Sequence, residues 1–165
     1  MSEFYPCRVK LSNGVEWALH CCVTLSQADT LVPVQWLSEL HDVPMAYLAK
    51  QLQALSRAGV VQSGKGQGGG YSLTRSAHEI SVLDVVEAID GPGEFFRCTE
   101  IRRRGPLAVP TEKCTKVCAV ARAMATAEAA WRDALAGITI AGLAADIDVD
   151  STGTALKAVR DWLEA

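Results

Sequence analysis

A chain of 165 residues with 49% apolar content is long enough for a domain with a real core and an appended arm, and too apolar to be disordered. No apolar run approaches the ~18 residues of a membrane span, and the first residues lack the apolar stretch of a signal peptide, so a cytoplasmic protein without membrane partners is expected. A net charge of −3 argues mildly against nucleic-acid binding, and six cysteines (7, 21, 22, 98, 114, 118) without a secretion signal point to metal or redox chemistry rather than a disulfide framework.

Residues 1–10 carry no periodicity and read as a loose arm or an upstream extension, so Cys7 has little weight. Asn13 and Glu16 have capping-box spacing for a helix start, and Val15, Ala18, Leu19, Cys22 and Val23 form one apolar face. Glu16 and His20 sit four apart beside that face, with Trp17 and Cys21 further round. They form either a surface helix pair or a two-ligand metal face. Cys21 and Cys22 read as packing residues.

Ser26 to Val32 is a turn-rich connection. Val34 to His41 reads as a short helix with Val34, Leu37 and Leu40 inward. Asp42-Val43-Pro44 turns tightly into a second helix, whose first turn suits Pro44 and whose apolar face is Met45, Leu48, Leu52 and Leu55. Gly59 stops it. Two helices joined this closely predict a helix-turn-helix, with the second helix in the major groove. Tyr47, Lys50 and Gln51 are its candidate base readers, since Lys can address guanine and Gln adenine. Val60–Ser63 and Tyr71–Thr74 predict two short strands around the tip Gly64–Gly70, which is too glycine-rich for a core element. That completes a winged helix. Met45, Ala46 and the wing's Lys65 and Gln67 are the candidate backbone or minor-groove contacts. From Val43 to Ala77 there is no Asp or Glu, while Lys50, Arg57, Lys65 and Arg75 make the run locally +4. Such a window suits a phosphate backbone despite the acidic total. The competing reading is a winged helix used for protein contacts.

Ser81 and Asp84 predict an N-cap with Ile80 and Val85 as its hydrophobic staple, opening a helix with Val82, Val85, Val86 and Ile89 inward as far as Asp90. Residues 94–113 are irregular and basic, with Arg97, Arg102, Arg103 and Arg104, and a loop of that length inside a compact domain usually has a function. Thr115 to Ala136 is alanine-rich and helical. Positions 117, 120, 124, 127, 131, 134 and 138 form a coiled-coil-like seam, anchored by Trp131, that reads as a homodimer helix or as an intramolecular core helix. Ile138–Ile147 is a shorter apolar helix, Asp146–Gly153 an acidic turn region, and Thr154–Glu164 a closing helix. Cys114 and Cys118 lie four apart at a helix start, so their sulfurs can share a side. Cys98 is a possible third ligand, Glu16 and His20 are the best remaining donors, and both zinc and an iron–sulfur cluster stay open.

The segment YLAKQLQALSRAGVVQSGKGQGGGYSLTR followed by ISVLDVVEAIDGP resembles the IscR/NsrR family of bacterial winged-helix regulators over about residues 9–136. The match begins at Val9. The family's common pattern has three cysteines at near-equal short spacings, whereas here sixteen positions separate Cys98 from Cys114. With VEWALHCC and CTEIRRRGPLAVPTEKCTKVC, that spacing is similar to the redox-sensing RsrR-type members. The resemblance implies a homodimer on double-stranded operator DNA, with a [2Fe–2S] cluster across the dimer interface. It implies Cys ligands from one subunit and Glu and His from the other, which assigns Glu16, His20, Cys114 and Cys118, with Cys98 in reserve. Trp17, beside Glu16, is the redox-coupled side chain expected to change rotamer. The expected fold is mainly α with a small β-wing. Residues 1–8 are an N-terminal extension, 9–91 the winged helix-turn-helix DNA-binding domain, 92–118 the cluster-binding loop, and 119–165 the dimerisation helix with the C-terminal helices. The alternatives are a cluster-free regulator with a Cys thiol or zinc switch, and a regulatory module that binds a protein through its wing. No phosphate loop or triad motif supports an enzyme.

Overall fold

The computed structural model describes residues 11–66 and 68–164; the proposed extension 1–8, Cys7 and Gln67 lie outside them. In chain order come α1 (Asn13–Leu25), α2 (Val34–His41), α3 (Met45–Arg57), β1 (Val61–Gly64), β2 (Gly70–Leu73), α4 (Val82–Asp90), two short 3-10 turns (Ile101–Arg103 and Thr111–Lys113), α5 (Ala119–Ala136), α6 (Ile140–Asp150) and α7 (Ala155–Glu164). The helices with one antiparallel hairpin, Val61 opposite Leu73 and Gly64 opposite Gly70, are the mainly-α winged fold that the sequence predicts. No helix among the described residues is long and apolar enough to cross a membrane. The chain forms two compact units, one of residues 11–92 with 135–165 and one containing 93–134.

The first unit is built on Leu37, Leu48, Leu52, Leu55, Ile80, Val85 and Ile140, all at 0% exposure. Each such side chain contributes about 1.5–3 kcal/mol by leaving water, so these seven dominate its stability. Sequence analysis groups α6 and α7 with the long helix, but Ile140, Ala144 and Leu156 are buried in this first core. The backbone explains the return. Val82 N–H donates to the Ile138 carbonyl at 2.8 Å, Ile140 N–H to the Ile80 carbonyl at 2.9 Å, and Ala141 N–H to the Ala77 carbonyl at 3.0 Å. The acidic stretch expected as a turn from Asp146 is helical as far as Asp150. Ile147 packs against the core while Asp146 and Asp150 face water, and Asp148 is half-buried between them.

Helix starts differ in chemistry. Ser81 Oγ accepts from Asp84 N–H at 3.1 Å, and the Asp84 carboxylate accepts from Ser81 N–H at 2.8 Å, which is the predicted reciprocal cap. At α1 the predicted box on Asn13 is absent. Ser12 precedes the helix without capping it, and its N–H and hydroxyl both bond the Asp90 carboxylate at the end of α4. A long-range tie replaces the local one.

The connection from α1 to α2 is more than a turn. Val32 and Tyr71 exchange two backbone hydrogen bonds of 2.9 Å, so the connection adds a third, one-residue rung to the wing. Two glycines permit this approach. A Cβ on Gly70 would lie 2.4 Å from the Val32 carbonyl, and one on Gly64 would lie 2.2 Å from Leu31 Cδ1.

In the second unit α5 buries none of its residues within one chain. Val117, Val120 and Met124 on its predicted seam are 63%, 59% and 36% exposed. Trp131, expected as a partner's anchor, is engaged by its own chain, edge-on to Phe95 with ring centroids 4.5 Å apart. Arg132 lies over the same Phe95 ring and pairs with Glu128, whose carboxylate accepts from Phe95 N–H. The helix begins at Ala119 rather than Thr115, because residues 111–113 form a 3-10 turn and Cys118 supplies the cap.

Candidate nucleic-acid interface and cysteine site

Helices α2 and α3 are joined by Asp42–Pro44, with Asp42 in the left-handed region at φ 50°. Its N–H returns to the Glu39 carbonyl, and Val43 N–H to the Ser38 carbonyl, so α2 ends sharply before α3. Met45 at 51% exposure, Tyr47 at 38% and Lys50 stand outward on α3, and Lys65 is exposed at the wing tip. Gln51 is different. It is 7% exposed on the inward face with Leu48, Leu52 and Leu55. A Cβ built on Gly14 of α1 would meet Gln51 Oε1 at 2.7 Å, which shows how tightly the amide lies against α1. A side chain so placed does not reach a base edge, and Gln51 leaves the reading face. The +4 window also changes. Lys50, Arg57 and Lys65 are exposed, but Arg75 is bonded inside the unit to Gly59, Glu79 and Asp84.

On α1, Glu16 and His20 are both exposed and border a cleft of about 170 Å³ with Leu19, Val23, Leu143 and Ile147. Trp17 is half-buried against the core. The His20 ring lies 5.9 Å from that of His41, whose Nε2 is 3.3 Å from Thr24 Oγ1. Burial first, and then the neighbouring His20, hold His41 below the usual histidine range. Spacing along the chain gave no signal for His41, because the pairing arises only when the end of α2 crosses α1. Cys21 and Cys22 are fully buried. Burial pushes the Cys21 thiol up to about 12, and burial together with Cys21 pushes Cys22 higher still. Neither is disposed to be a thiolate ligand, in keeping with a packing role.

The other cysteines gather at the start of α5. The Cys118 carbonyl accepts the first helical bond, from Arg122 N–H at 3.0 Å, which makes it the N-cap residue. The Ala121 and Val120 N–H groups in the first turn chiefly hold its thiol below the usual cysteine range. The neighbouring Cys98 thiol and the Arg102 charge act in the same direction. Cys98 receives Glu100 N–H at 3.4 Å. The Arg102 guanidinium is fixed by the Glu100 carboxylate at 2.8 Å and the Lys116 carbonyl at 2.8 Å, with Cys114 and Cys118 both within its electrostatic reach. Helix amides and a fixed cation favour thiolate, the form that binds metals. Cys98, the reserve ligand on sequence grounds, lies twenty positions before Cys118, and the loop's fold brings the two together. Among the described residues no three His, Cys, Asp or Glu side chains converge on one metal position.

A family model described as Rrf2, iron-dependent transcriptional regulator, matches residues 11–146. A putative HTH-type transcriptional regulator of Aquifex aeolicus is 34% identical over 88 residues, 53% of this chain and 61% of that protein. The HTH-type transcriptional regulator IscR of Cereibacter sphaeroides is 35% identical over 86 residues, 50% of this chain and 56% of its own. The chain thus spans somewhat over half the length of these curated relatives. Among solved structures, CymR, the global cysteine regulator of B. subtilis, superposes with a TM-score of 0.63 at 20% identity over 84% of this chain and 98% of its own. T. potens IscR gives 0.62 at 19% identity over 84% and 88%. At such identities the likeness establishes a shared fold.

Proposed function

Since this chain belongs to the Rrf2 family, we propose that it is a homodimeric, redox-responsive transcriptional regulator of the cytoplasm that binds double-stranded operator DNA and senses through an interfacial [2Fe–2S] cluster. The observation that carries the DNA-binding part is the outward set on α3 and the wing. Met45, Tyr47, Lys50 and Lys65 are exposed within a run from 43 to 77 that contains no carboxylate side chain. Tyr47 and Lys50 are the base-facing candidates, and Met45 and Lys65, with Gln67, the flanking contacts. A two-fold dimer presents two equivalent readers, so the operator is pseudo-palindromic. The exposed seam of α5 supports dimerisation through that helix.

The donor chemistry fits a cluster. Three thiols lie in the second unit, one of them held toward thiolate by two amides and Arg102. A carboxylate and an imidazole one turn apart on α1 supply the remaining donors. The proposed ligands are Cys114 and Cys118 of one copy and Glu16 and His20 of the other. The Cys98–Cys118 contact makes Cys98 an equal candidate for the second thiolate. Bound there, the cluster supplies one-electron chemistry, at a potential raised by the non-thiolate ligands. The residues around it set the response. Arg102 and the α5 amides offset negative charge at Cys118. Trp17, between the α1 ligands and the core, is the side chain proposed to change rotamer. Gly14, two residues before Glu16, touches Gln51 of α3, so α1 and the reading helix are in direct contact.

Anaerobically purified protein is expected to carry iron and sulfide with a visible spectrum, and Glu16→Ala or His20→Ala to bleach it. Operator titrations should show different affinities for the oxidised and reduced dimer. Equal affinities would remove the redox switch, and iron-free protein the cluster. The Cys98–Cys118 contact favours a second reading in that case, a cluster-free switch that uses these thiols directly or zinc.

A further inference from the structure

We infer that Arg75, outwardly one of four cations available to DNA, is a positioning residue that locks the wing to the reading helix. Its guanidinium is divided among three places in the fold. Nη1 donates to the Gly59 carbonyl at 3.2 Å, Nε to the Glu79 carbonyl at 3.1 Å, and Nη2 to Asp84 Oδ2 at 3.2 Å. Gly59 follows the end of α3 and lies in the left-handed region at φ 73°. Its carbonyl also accepts from Thr74 Oγ1 at 2.7 Å. Asp84 is already committed to the cap of α4 through Ser81 N–H. Arg75, two residues after β2, therefore joins the exit of α3, the connection at Glu79 and the first turn of α4. Only a planar fork with several donors spans such a set; a lysine ammonium is a point charge on a flexible stem.

The ion pair is not the source of the effect. Both partners are more than a third exposed, and an ion pair in that setting is weak. What matters is geometry. Residues 64–69 carry Lys65 on a two-stranded ribbon whose root is Val61 and Leu73, and such a ribbon needs outside packing to hold its direction. The Val32–Tyr71 rung steadies one side of it, and Arg75 with Thr74 fixes its base to the helix that reads the groove. The wing cation and the α3 side chains are thus presented as one surface, and Arg75 itself spends its donors on protein.

The inference rests on the DNA-binding reading, and the experiment separates the two. Operator affinity and its salt dependence are measured for wild type, Lys65→Ala, Arg75→Lys and the double variant. Loss of one phosphate contact lowers the salt slope by about 1. A clamp makes Arg75→Lys lose affinity although it keeps the charge, and makes Lys65→Ala add less than about twofold, with no further drop in slope, in the Arg75→Lys background. Wild-type affinity for Arg75→Lys, or additive losses in the double variant, would overturn the clamp. Hydrogen exchange without DNA supplies a second readout. Amides of Val61–Gly64 and Gly70–Leu73 should exchange about threefold to tenfold faster in Arg75→Lys, while the α1 core amides stay protected. Unchanged wing exchange overturns the clamp even if no DNA binds. Faster wing exchange in a protein whose wild type ignores DNA overturns the regulator reading and leaves the clamp standing.

Discussion

Replacing Gly70 by alanine tests how the wing is fixed to the rest of the fold. The new Cβ would lie 2.4 Å from both the carbonyl carbon and oxygen of Val32 and 2.8 Å from Pro33 N. These are backbone atoms, so no side-chain rotation relieves the clash, and the segment at Val32 has to move. That movement breaks the two 2.9 Å hydrogen bonds between Val32 and Tyr71, at about 1 kcal/mol each. It also brings Val32, now 3% exposed, part of the way into water, at up to about 2 kcal/mol. The sum is about 2–4 kcal/mol, which at about 2–4 °C per kcal/mol for a chain of this size lowers the melting temperature by roughly 5–15 °C. The assay is a urea titration alongside a thermal melt, both followed by far-ultraviolet circular dichroism. Gly93→Ala is the control, since nothing lies within 4 Å of its added Cβ and its φ is not in the left-handed region. It should be neutral or stabilise by up to about 1 kcal/mol. If Gly70→Ala is as stable as Gly93→Ala to within about 0.5 kcal/mol, the rung at Val32 does not support the wing and the reasoning is wrong.

Ser81→Ala removes one half of the reciprocal cap on α4 and should cost about 1 kcal/mol, read as a lower urea midpoint with an unchanged slope. The proposed dimer is tested by Val120→Glu, which places a charge on the exposed seam of α5: the wild type should sediment as a dimer and the variant as a monomer, with stability of the first unit unchanged. Buried Cys21 and Cys22 make folding sensitive to alkali. Their thiols titrate higher when folded than when unfolded, so their contribution is complete below about pH 9 and is lost as the pH rises towards 12. The urea midpoint should fall over that range, and a Cys21→Ala/Cys22→Ala variant should show a flatter profile.

The elements with strong local signals were legible in the residues. The limits of α2 and α4 follow from caps and periodicity, and the wing from two short apolar runs around a glycine-rich tip. The failures came where contacts between distant parts of the chain decide. Polarity alone points Gln51 toward DNA. Yet it stands three residues after Leu48 and four before Leu55, on the same face as both, and Gly14 leaves room for its amide. Met45 continues the apolar spacing of α3 yet is half exposed, as its other reading, a flanking DNA contact, requires. Val32 carries no strand signal, since a one-residue rung produces no alternation. Of the proposed sensor residues, the Glu16/His20 spacing could be seen on paper. The nearness of Cys98 to Cys118 and of His41 to His20 depends on loop paths that local patterns do not encode.

The pairing of residues 77–82 with 138–141 bears on how proteins of this architecture can change. Those bonds join two stretches that are far apart in sequence and owe nothing to the forty-two residues that make up 93–134. The reading head is therefore stitched shut on either side of an excursion. Residues can be gained, lost or respaced within that excursion without touching the bonds that close the first unit, so one framework can carry different inserts.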